Sequence, residues 1–329
     1  MNIATSGLQT AQAQLRVTSD NIANVNTPGY VRKVADQSAL VTTAGRGAGV
    51  DITRTRLATD RFLQAAGLSA NADASRETVR YELFDQIQSR FGDPSSDTGF
   101  FSQIDKLFAS YATLAENPTS SAARQDTVYK TQAMFNEAAS VAAQIQSARQ
   151  EADGRLQSAV ETINPLLEQI DKLNRSIAAG SATNKDVTGA QNAQLELINQ
   201  LTGAGTTLVG EGHAVLSYQA AGTVGATTAF SDIMITEPSG TRWPLLDSVT
   251  SGEIRGLVEL RDQDAPAAAA RLGELTAKLA DELNRAHNAN SSVPAPTSLT
   301  GRNTGQSLEN ALAGFSGRTT ITAVDSSGV

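Results

Sequence analysis

Residues able to do catalytic chemistry are few in this chain, and they are scattered. The two histidines are His213, in the turn-like stretch Glu211-Gly212-His213, and His287, at the end of a helical pattern where an imidazole suits the helix dipole. Both read as structural or surface residues. There is no cysteine, which excludes disulfides, thiolate metal sites and cysteine nucleophiles. Asp262-Gln263-Asp264 has the look of half a metal site, but side chains two apart on a helix point to different faces and no third ligand lies nearby. Gly45-Arg46-Gly47-Ala48-Gly49 is glycine-rich like a phosphate loop, yet no Lys-Ser/Thr follows and the next residues read as strand. No Ser/His/Asp set has a recognisable local context, and Trp243 beside Pro244 reads as a core plug. The sequence therefore predicts neither an enzyme nor a cofactor or metal site. A secreted enzyme stays open as an alternative only if Asp232, Glu237 and His213 converge on a pocket.

The elements around these residues are mostly helical, and their patterning is the main signal. The chain has 329 residues, 40% apolar, 5% aromatic and 18% charged, with a net charge of −8. That length favours more than one subdomain, and so few aromatics favour thin helix-on-helix packing with small residues at the seams. The acidic balance argues against nucleic acid and against an anionic membrane surface as partners. No run of about 18 apolar residues is present, and Gln9, Gln12, Gln14 and Arg16 stand where a signal peptide needs an apolar centre.

At the amino terminus Leu8, Ala11, Leu15, Thr18, Ile22 and Val25 alternate steps of three and four. This is a heptad seam. A stripe so thin needs a partner helix, and this chain offers no complementary one, which predicts a segment 1–26 that is loosely held until assembly. Asn26-Thr27-Pro28-Gly29-Tyr30 ends the helix in a sharp turn, since Thr27 before proline avoids the helical region. Residues 27–59 read as an extended connector with short-strand content. Between Tyr30 and Arg61 it carries six basic residues, Arg32, Lys33, Arg46, Arg54, Arg56 and Arg61, against three acidic ones. Such a basic segment on an acidic chain predicts docking on acidic groups of the bundle or of neighbouring subunits.

A long helical bundle is expected over 60–203. One helix reaches Phe91 with Leu83, Phe84, Ile87 and Phe91 as its buried end, before the breaker Gly92-Asp93-Pro94. The next places Phe100, Phe101, Ile104, Leu107, Phe108, Tyr111 and Leu114 on one broad face, which predicts the densest core there. From Ser120 to Gly180 the seam Val128, Thr131, Phe135, Ala138, Ala142, Ile145, Arg149, Ala152, Leu156, Ala159, Ile163, Leu166, Ile170, Leu173, Ile177 predicts a long antiparallel coiled coil, kinked near Pro165. A further helix covers roughly Thr188 to Leu201. Short alternating pieces then predict a small β subdomain over 204–252, and leucines at helical spacing from Leu257 to Leu283 return the chain to the bundle over 253–289, with a restart at Pro266. Residues 290–329 read as the start of a β-rich region that continues beyond Val329. The architecture predicted is mainly α: an elongated helical bundle or coiled coil with an inserted small β subdomain and an amino-terminal assembly helix.

Ser19-Asp20-Asn21-Ile22-Ala23-Asn24-Val25-Asn26-Thr27-Pro28-Gly29-Tyr30 closely resembles the amino-terminal signature of the bacterial flagellar rod, hook and hook-associated proteins. Within that group, Asn117-Pro118 with Ala123-Arg124-Gln125, and Gly256-Leu257-Val258-Glu259-Leu260-Arg261-Asp262-Gln263-Asp264 leading to Leu283-Asn284-Arg285-Ala286-His287, resemble the hook-associated protein 1 family. The sequence departs from the family pattern at Pro165, at Gln191 to Gln200 where an Arg-Asp pair is usual, and in lacking the carboxy-terminal helices. The resemblance implies a structural subunit at the hook–filament junction, outside the cell, exported through the flagellar type III apparatus with an export chaperone. Its implied partners are further copies of itself, the hook protein and the second junction protein. The implied assembly surface is Leu8, Leu15, Ile22, Val25, Asn26, Pro28, Gly29, Tyr30, Arg54 and Arg56. A hook or rod subunit is the alternative within the same group.

Overall fold

A computed structural model describes residues 2–27, 30–42, 45–93, 97–183, 185–205, 215–218, 222–224, 227–290 and isolated positions beyond. His213, Pro28, Gly29 and nearly all of 290–329 lie outside the described residues. The elements in chain order are α1 (Asn2–Ala23), β1 (Lys33–Val41), β2 (Gly47–Leu57), α2 (Arg61–Phe91), α3 (Phe100–Glu116), α4 (Ser121–Ala182) and α5 (Thr188–Ala204). Then come β3 (Val215–Ser217), β4 (Gly222–Val224), β5 (Thr227–Ala229), β6 (Met234–Thr236), β7 (Arg242–Pro244), α6 (Glu253–Glu259) and α7 (Ala265–Ala289). The mainly helical architecture with a small β insertion is as the periodicity predicts. The single bundle expected over 60–203 is instead shared between two compact units, residues 1–84 with 149–263, and 85–148 with 264–329.

The first unit holds the larger apolar core. Leu156, Ile163, Leu167 and Ile170 of α4 are buried with Val79 and Leu83 of α2, Leu201 of α5, Leu216 of β3, Ile235 of β6 and Ile254 and Leu257 of α6. The strands β3-β6-β7 form a three-stranded antiparallel sheet and β4-β5 a separate pair. α4 passes through Pro165 as one helix of 62 residues, and Asn164 beside it reaches β3. Its amide Nδ2 donates to the Leu216 carbonyl at 2.9 Å and its Oδ1 accepts the Leu216 N–H at 2.8 Å. Two glycines let the chain close where α5 ends and α6 begins. Gly205 and Gly252 both have positive φ (111° and 94°), and a Cβ on Gly252 would strike the Gly205 backbone. At the other end of α6, Glu259 is nearly buried, and three guanidinium groups, those of Arg76, Arg80 and Arg255, surround it. Burial pushes its pKa up, but the hydrogen bonds and charges of Arg255 and Arg76 outweigh that and hold it below the ordinary value of 4.5.

The second unit is built on Ile87, Phe100, Leu107, Met134, Ala138, Val141, Ile145 and Leu272. Phe91 meets Phe100 edge-on, with centroids 5.9 Å apart. Here the structure corrects the aromatic face. Only Phe100 and Leu107 of the α3 set are fully buried, Phe101 and Phe108 are exposed, and Phe84 of α2 is 40% exposed. The core seam of α4 also lies one residue from the expected one at its start: Met134 and Val141 are buried, while Val128 and Ala142 are exposed. Ala138 and Ile145 of the expected seam are nevertheless buried, so the departure is local: a helix of 3.6 residues per turn drifts against a strict heptad, and the buried row alternates between neighbouring positions in the first half of α4.

Candidate assembly surface

The amino-terminal signature is held together by polar groups. α1 lies on the ribbon formed by β1 and β2, an antiparallel pair with bulges after Asp36 and after Leu40. The face of α1 turned to the ribbon carries Ser6, Thr10, Asp20 and Asn21. Ser6 Oγ accepts the Val50 N–H at 3.2 Å and Thr10 Oγ1 donates to the Val50 carbonyl at 3.3 Å. The contact is tight enough that a Cβ on Gly49 (φ 134°) would collide with Ser6 Oγ. That explains one glycine of the 45–49 cluster as a close-approach residue.

The chain entering β1 is gripped by two asparagines. Asn21 of α1 takes both backbone groups of Lys33: Oδ1 accepts its N–H at 2.8 Å and Nδ2 donates to its carbonyl at 2.9 Å. The same Oδ1 accepts the Tyr30 hydroxyl at 3.0 Å, and Asp20 pairs with Lys33 Nζ at 3.0 Å. Asn192 of α5 does the same to Val31, at 2.9 and 3.0 Å. Residues 31 and 33 of an extended chain present their backbone groups to one edge, so two side-chain amides stand in for a missing neighbouring strand. On the opposite edge the Ala58 N–H donates to the Arg32 carbonyl at 2.8 Å. Asn21 and Asn192 are not among the interface residues expected from the sequence. The doubled Asn21/Asn24 of the signature is the local clue to the first, and the second has no local signal.

Fastening α1 by its polar face leaves its apolar seam outward. Leu8, Leu15, Ile22 and Val25 are 60%, 67%, 69% and 72% exposed, and Asn26 is exposed beside them. The loosely held amino-terminal helix expected from the sequence is thus corrected in one respect: α1 has a docking partner in this chain, the ribbon, and not a helix. The connector of 27–59 is likewise a paired ribbon. Arg54 and Arg56 do not reach acidic groups of the bundle. Both pair with Asp36 across the ribbon, at 2.9 and 3.0 Å, because Asp36 stands opposite Arg54 and Arg56 is two residues further along the same face. The Arg54 hydrogen bond is the main reason that Asp36 titrates below its ordinary 3.8, with Arg56 adding to it.

Asp232 and Glu237 are exposed, Glu237 accepting the Trp243 indole N–H at 3.1 Å, and His287 is exposed at the end of α7. Trp243 is half-buried at the edge of the first unit's core. Among the described residues no three His, Cys, Asp or Glu gather as a metal site. The Asp262-Gln263-Asp264 motif lies in a single π-helical turn, Leu260–Asp264, and Asp262 is the bidentate partner of Arg261 at 2.9 and 2.7 Å. Among the described residues Arg261 is the largest fully buried side chain. It donates to Asp153 at 3.1 Å, to the Tyr218 hydroxyl at 2.8 Å and to the Ser231 carbonyl at 3.3 Å, while Tyr218 also bonds Asp153. The guanidinium groups of Arg149 and Arg261 lie 4.7 and 4.9 Å from the centre of the Phe230 ring. Burial and the Asp153 bond raise the Tyr218 pKa, so the hydroxyl stays a donor throughout the working range. An arginine on the apolar stripe of Ile254, Leu257 and Leu260 is the sequence signal for this cluster.

Two family models match successive parts of the chain. Residues 1–30 fit the flagella basal body rod protein model, and residues 84–306 fit the flagellar hook-associated protein FlgK helical domain model. Flagellar hook-associated protein 1 of Escherichia coli is 24% identical over 319 residues, 88% of this chain and 57% of that protein. The Salmonella typhimurium protein of the same name is 25% identical over 87% of this chain and 56% of its own length, so the chain spans little more than half of these relatives. The flagellar hook junction protein FlgK from Burkholderia pseudomallei shares the fold, with a TM-score of 0.51 and 23% identity over 63% of this chain and 41% of that one. A helical-domain match over more than half of the sequence, behind the axial amino-terminal signature, places the chain in the flagellar hook-associated protein FlgK family.

Proposed function

We propose that this protein is a structural, non-enzymatic subunit of the bacterial flagellum, forming the junction between hook and filament and assembling by helix pairing along the outward seam of α1. The observation that carries the reading is the orientation of α1, with Ser6, Thr10 and Asn21 bonded to the ribbon and Leu8, Leu15, Ile22 and Val25 exposed in one row. A row of apolar side chains on a helix already fixed in place is an interface waiting for a second helix. The relatives named as hook-associated protein 1 and hook junction protein support the junction as the site of assembly. Its partners on this reading are further copies of itself, the hook protein and the second junction protein. It reaches its extracellular position through the flagellar type III export apparatus, with an export chaperone.

Electron microscopy of cells lacking the gene tests the reading. Hooks without filaments, with flagellin shed into the medium, are expected, whereas filaments of normal length would overturn it. Loss of the hook itself would favour the alternative, a hook or rod subunit. No helix among the described residues is long and apolar enough to cross a membrane.

A further inference from the structure

One cavity of about 500 Å³ opens at the root of the ribbon, where the signature turn, the start of α2 and α5 meet. Tyr30, Val31, Ala58, Asp60, Leu63 and Leu195 are among its lining residues, and Asp60 is the one charged side chain in that lining. Asp60 is fixed, because its Oδ1 caps α2 by accepting the N–H groups of Phe62 and Leu63 at 2.9 and 3.2 Å. Phe62 and Leu63 beside it are 90% and 71% exposed. The groove is apolar, anionic at one point and open to a partner.

The opposite end of the same ribbon carries complementary chemistry. Leu40 and Val41 are 42% and 67% exposed, and Arg46 is exposed beyond them. Where β1 ends and β2 is about to begin, Thr42 N–H donates to the Arg46 carbonyl at 2.8 Å, Gly45 N–H to the Thr42 carbonyl at 2.8 Å, and Arg46 N–H to Thr42 Oγ1 at 3.2 Å. A short apolar knob with one cation at its edge thus stands about 30 Å, nine residues of strand, from an apolar groove with one anion.

We propose that the ribbon tip of one copy of this chain docks in the root groove of the next, Leu40 and Val41 entering beside Leu63 and Arg46 meeting Asp60. This deepens, and rests on, the self-assembly proposed above. Tip and groove are different surfaces, so the contact is head-to-tail and links more than two copies, as a ring or as a helix, and either suits a subunit of a tubular structure. The α1 seam is a long row from Leu8 to Ile22, which matches another helix better than a compact groove.

Disulfide cross-linking tests the contact, since this chain contains no cysteine of its own. Flagella isolated from cells making the full-length protein with Val41→Cys and Leu63→Cys should give a ladder of dimers, trimers and higher species on mild oxidation. Either single variant should give nothing beyond a dimer. Arg46→Glu should lower the ladder yield by about fivefold, and adding Asp60→Asn, which keeps the helix cap, should restore most of it. A doubly substituted protein that is present in the flagella yet forms no ladder overturns the contact while leaving the axial reading intact. A ladder from Leu15→Cys with Leu63→Cys but not from Val41→Cys with Leu63→Cys gives the groove to the α1 seam and also overturns it. If the protein is absent from flagella, the axial reading fails, and oxidation of the concentrated purified protein then decides the groove contact by itself: a ladder upholds it and none overturns it.

Discussion

Helix α1 and the 149–182 stretch of α4 carry the same three-four rhythm and use it in opposite senses. In α4 the row Ala152, Leu156, Ile163 and Ile170 is buried against α2, β3, β6 and α6, with Asp153 and Asp171 as buried polar exceptions beside it. In α1 the row Leu8, Leu15 and Ile22 faces outward, and it is the polar edge, Ser6, Thr10 and Asn21, that docks. Periodicity reports that a helix owns a seam. It does not report whether the mate of that seam lies in the same chain. What separates the two is the neighbour: the apolar inner faces of β3 and β6 cover α4, whereas the ribbon under α1 offers backbone groups and a glycine, which only small and polar side chains can match.

The largest effect is expected within the α4 unit, at Arg261. Arg261→Gln removes a buried cation that bonds Asp153, Asp262 and Tyr218 at once and should cost about 3–5 kcal/mol in urea unfolding. Replacing Arg261 by Met together with Asp153 by Leu should recover roughly half or more of that loss, since a buried ion pair does little for stability against an apolar replacement of similar volume. A double variant as unstable as the single one would show that the contacts to Phe230 and Ser231, and not the charge pair, hold the cluster.

Next in size is the direct contrast between the seams. Leu156→Ala should cost about 2–5 kcal/mol, as for a fully buried leucine. Leu15→Asp with Ile22→Asp should change the unfolding free energy of the purified protein by less than about 0.5 kcal/mol while abolishing its incorporation into flagella. Equal destabilisation by both would erase the distinction and mean that α1 buries its seam in the free protein.

The gap between those two helices also marks how far the sequence could be read. Element types and order follow from local signals: the Thr27-Pro28-Gly29 stop, the Asn117-Pro118 break, the restart at Pro266 and the short alternating strands around Leu216 and Ile235. The partners of a side chain do not. Asn192 lies 161 residues from Val31, Arg261 lies 108 residues from Asp153, and no local pattern encodes either pairing. The Arg54 and Arg56 pairing with Asp36 was within reach, because a ribbon folded at Gly45 brings them opposite. Their reading as docking groups came from treating the segment as an open connector.

The asparagine grips sharpen the comparison further, because α1 is held by hydrogen bonds where α4 is held by apolar contact. Asn21→Ala strips partners from both backbone groups of Lys33 and should cost about 1–3 kcal/mol, read as faster hydrogen exchange at the Lys33 amide and easier proteolysis within α1. Asn192→Ala should speed exchange at Val31 and leave α1 less affected. An Asn21→Ala variant with unchanged exchange would mean that the apolar part of α1 already holds it.

Smaller effects should appear on acidification. Because the arginines depress the Glu259 pKa, its contribution is fully present above the ordinary glutamate range and is lost as pH falls through its lowered value. Melting temperature followed downward from pH 6 should therefore decline more steeply in the parent protein than in Glu259→Gln, which starts lower and has less to lose. Parallel curves would show that other carboxylates carry the acid sensitivity of this unit.

The smallest effect belongs to the exposed pairs on the ribbon. Asp36 keeps Arg56 when Arg54 is replaced and Arg54 when Arg56 is replaced, so neither single alanine variant should move the melting temperature measurably. In the double variant Arg54→Ala with Arg56→Ala the Asp36 carboxyl, followed by NMR, should titrate upward to about its ordinary 3.8. The sign follows from the cause: both guanidinium groups favour the carboxylate, so removing them favours the acid. If Asp36 stays depressed without them, the ribbon backbone holds its charge and the two arginines are free for a neighbouring subunit. If it rises while incorporation into flagella is unchanged, the pairs serve only to keep the ribbon in register, at the bulge where Thr53 Oγ1 donates to the Asp36 carbonyl at 3.1 Å.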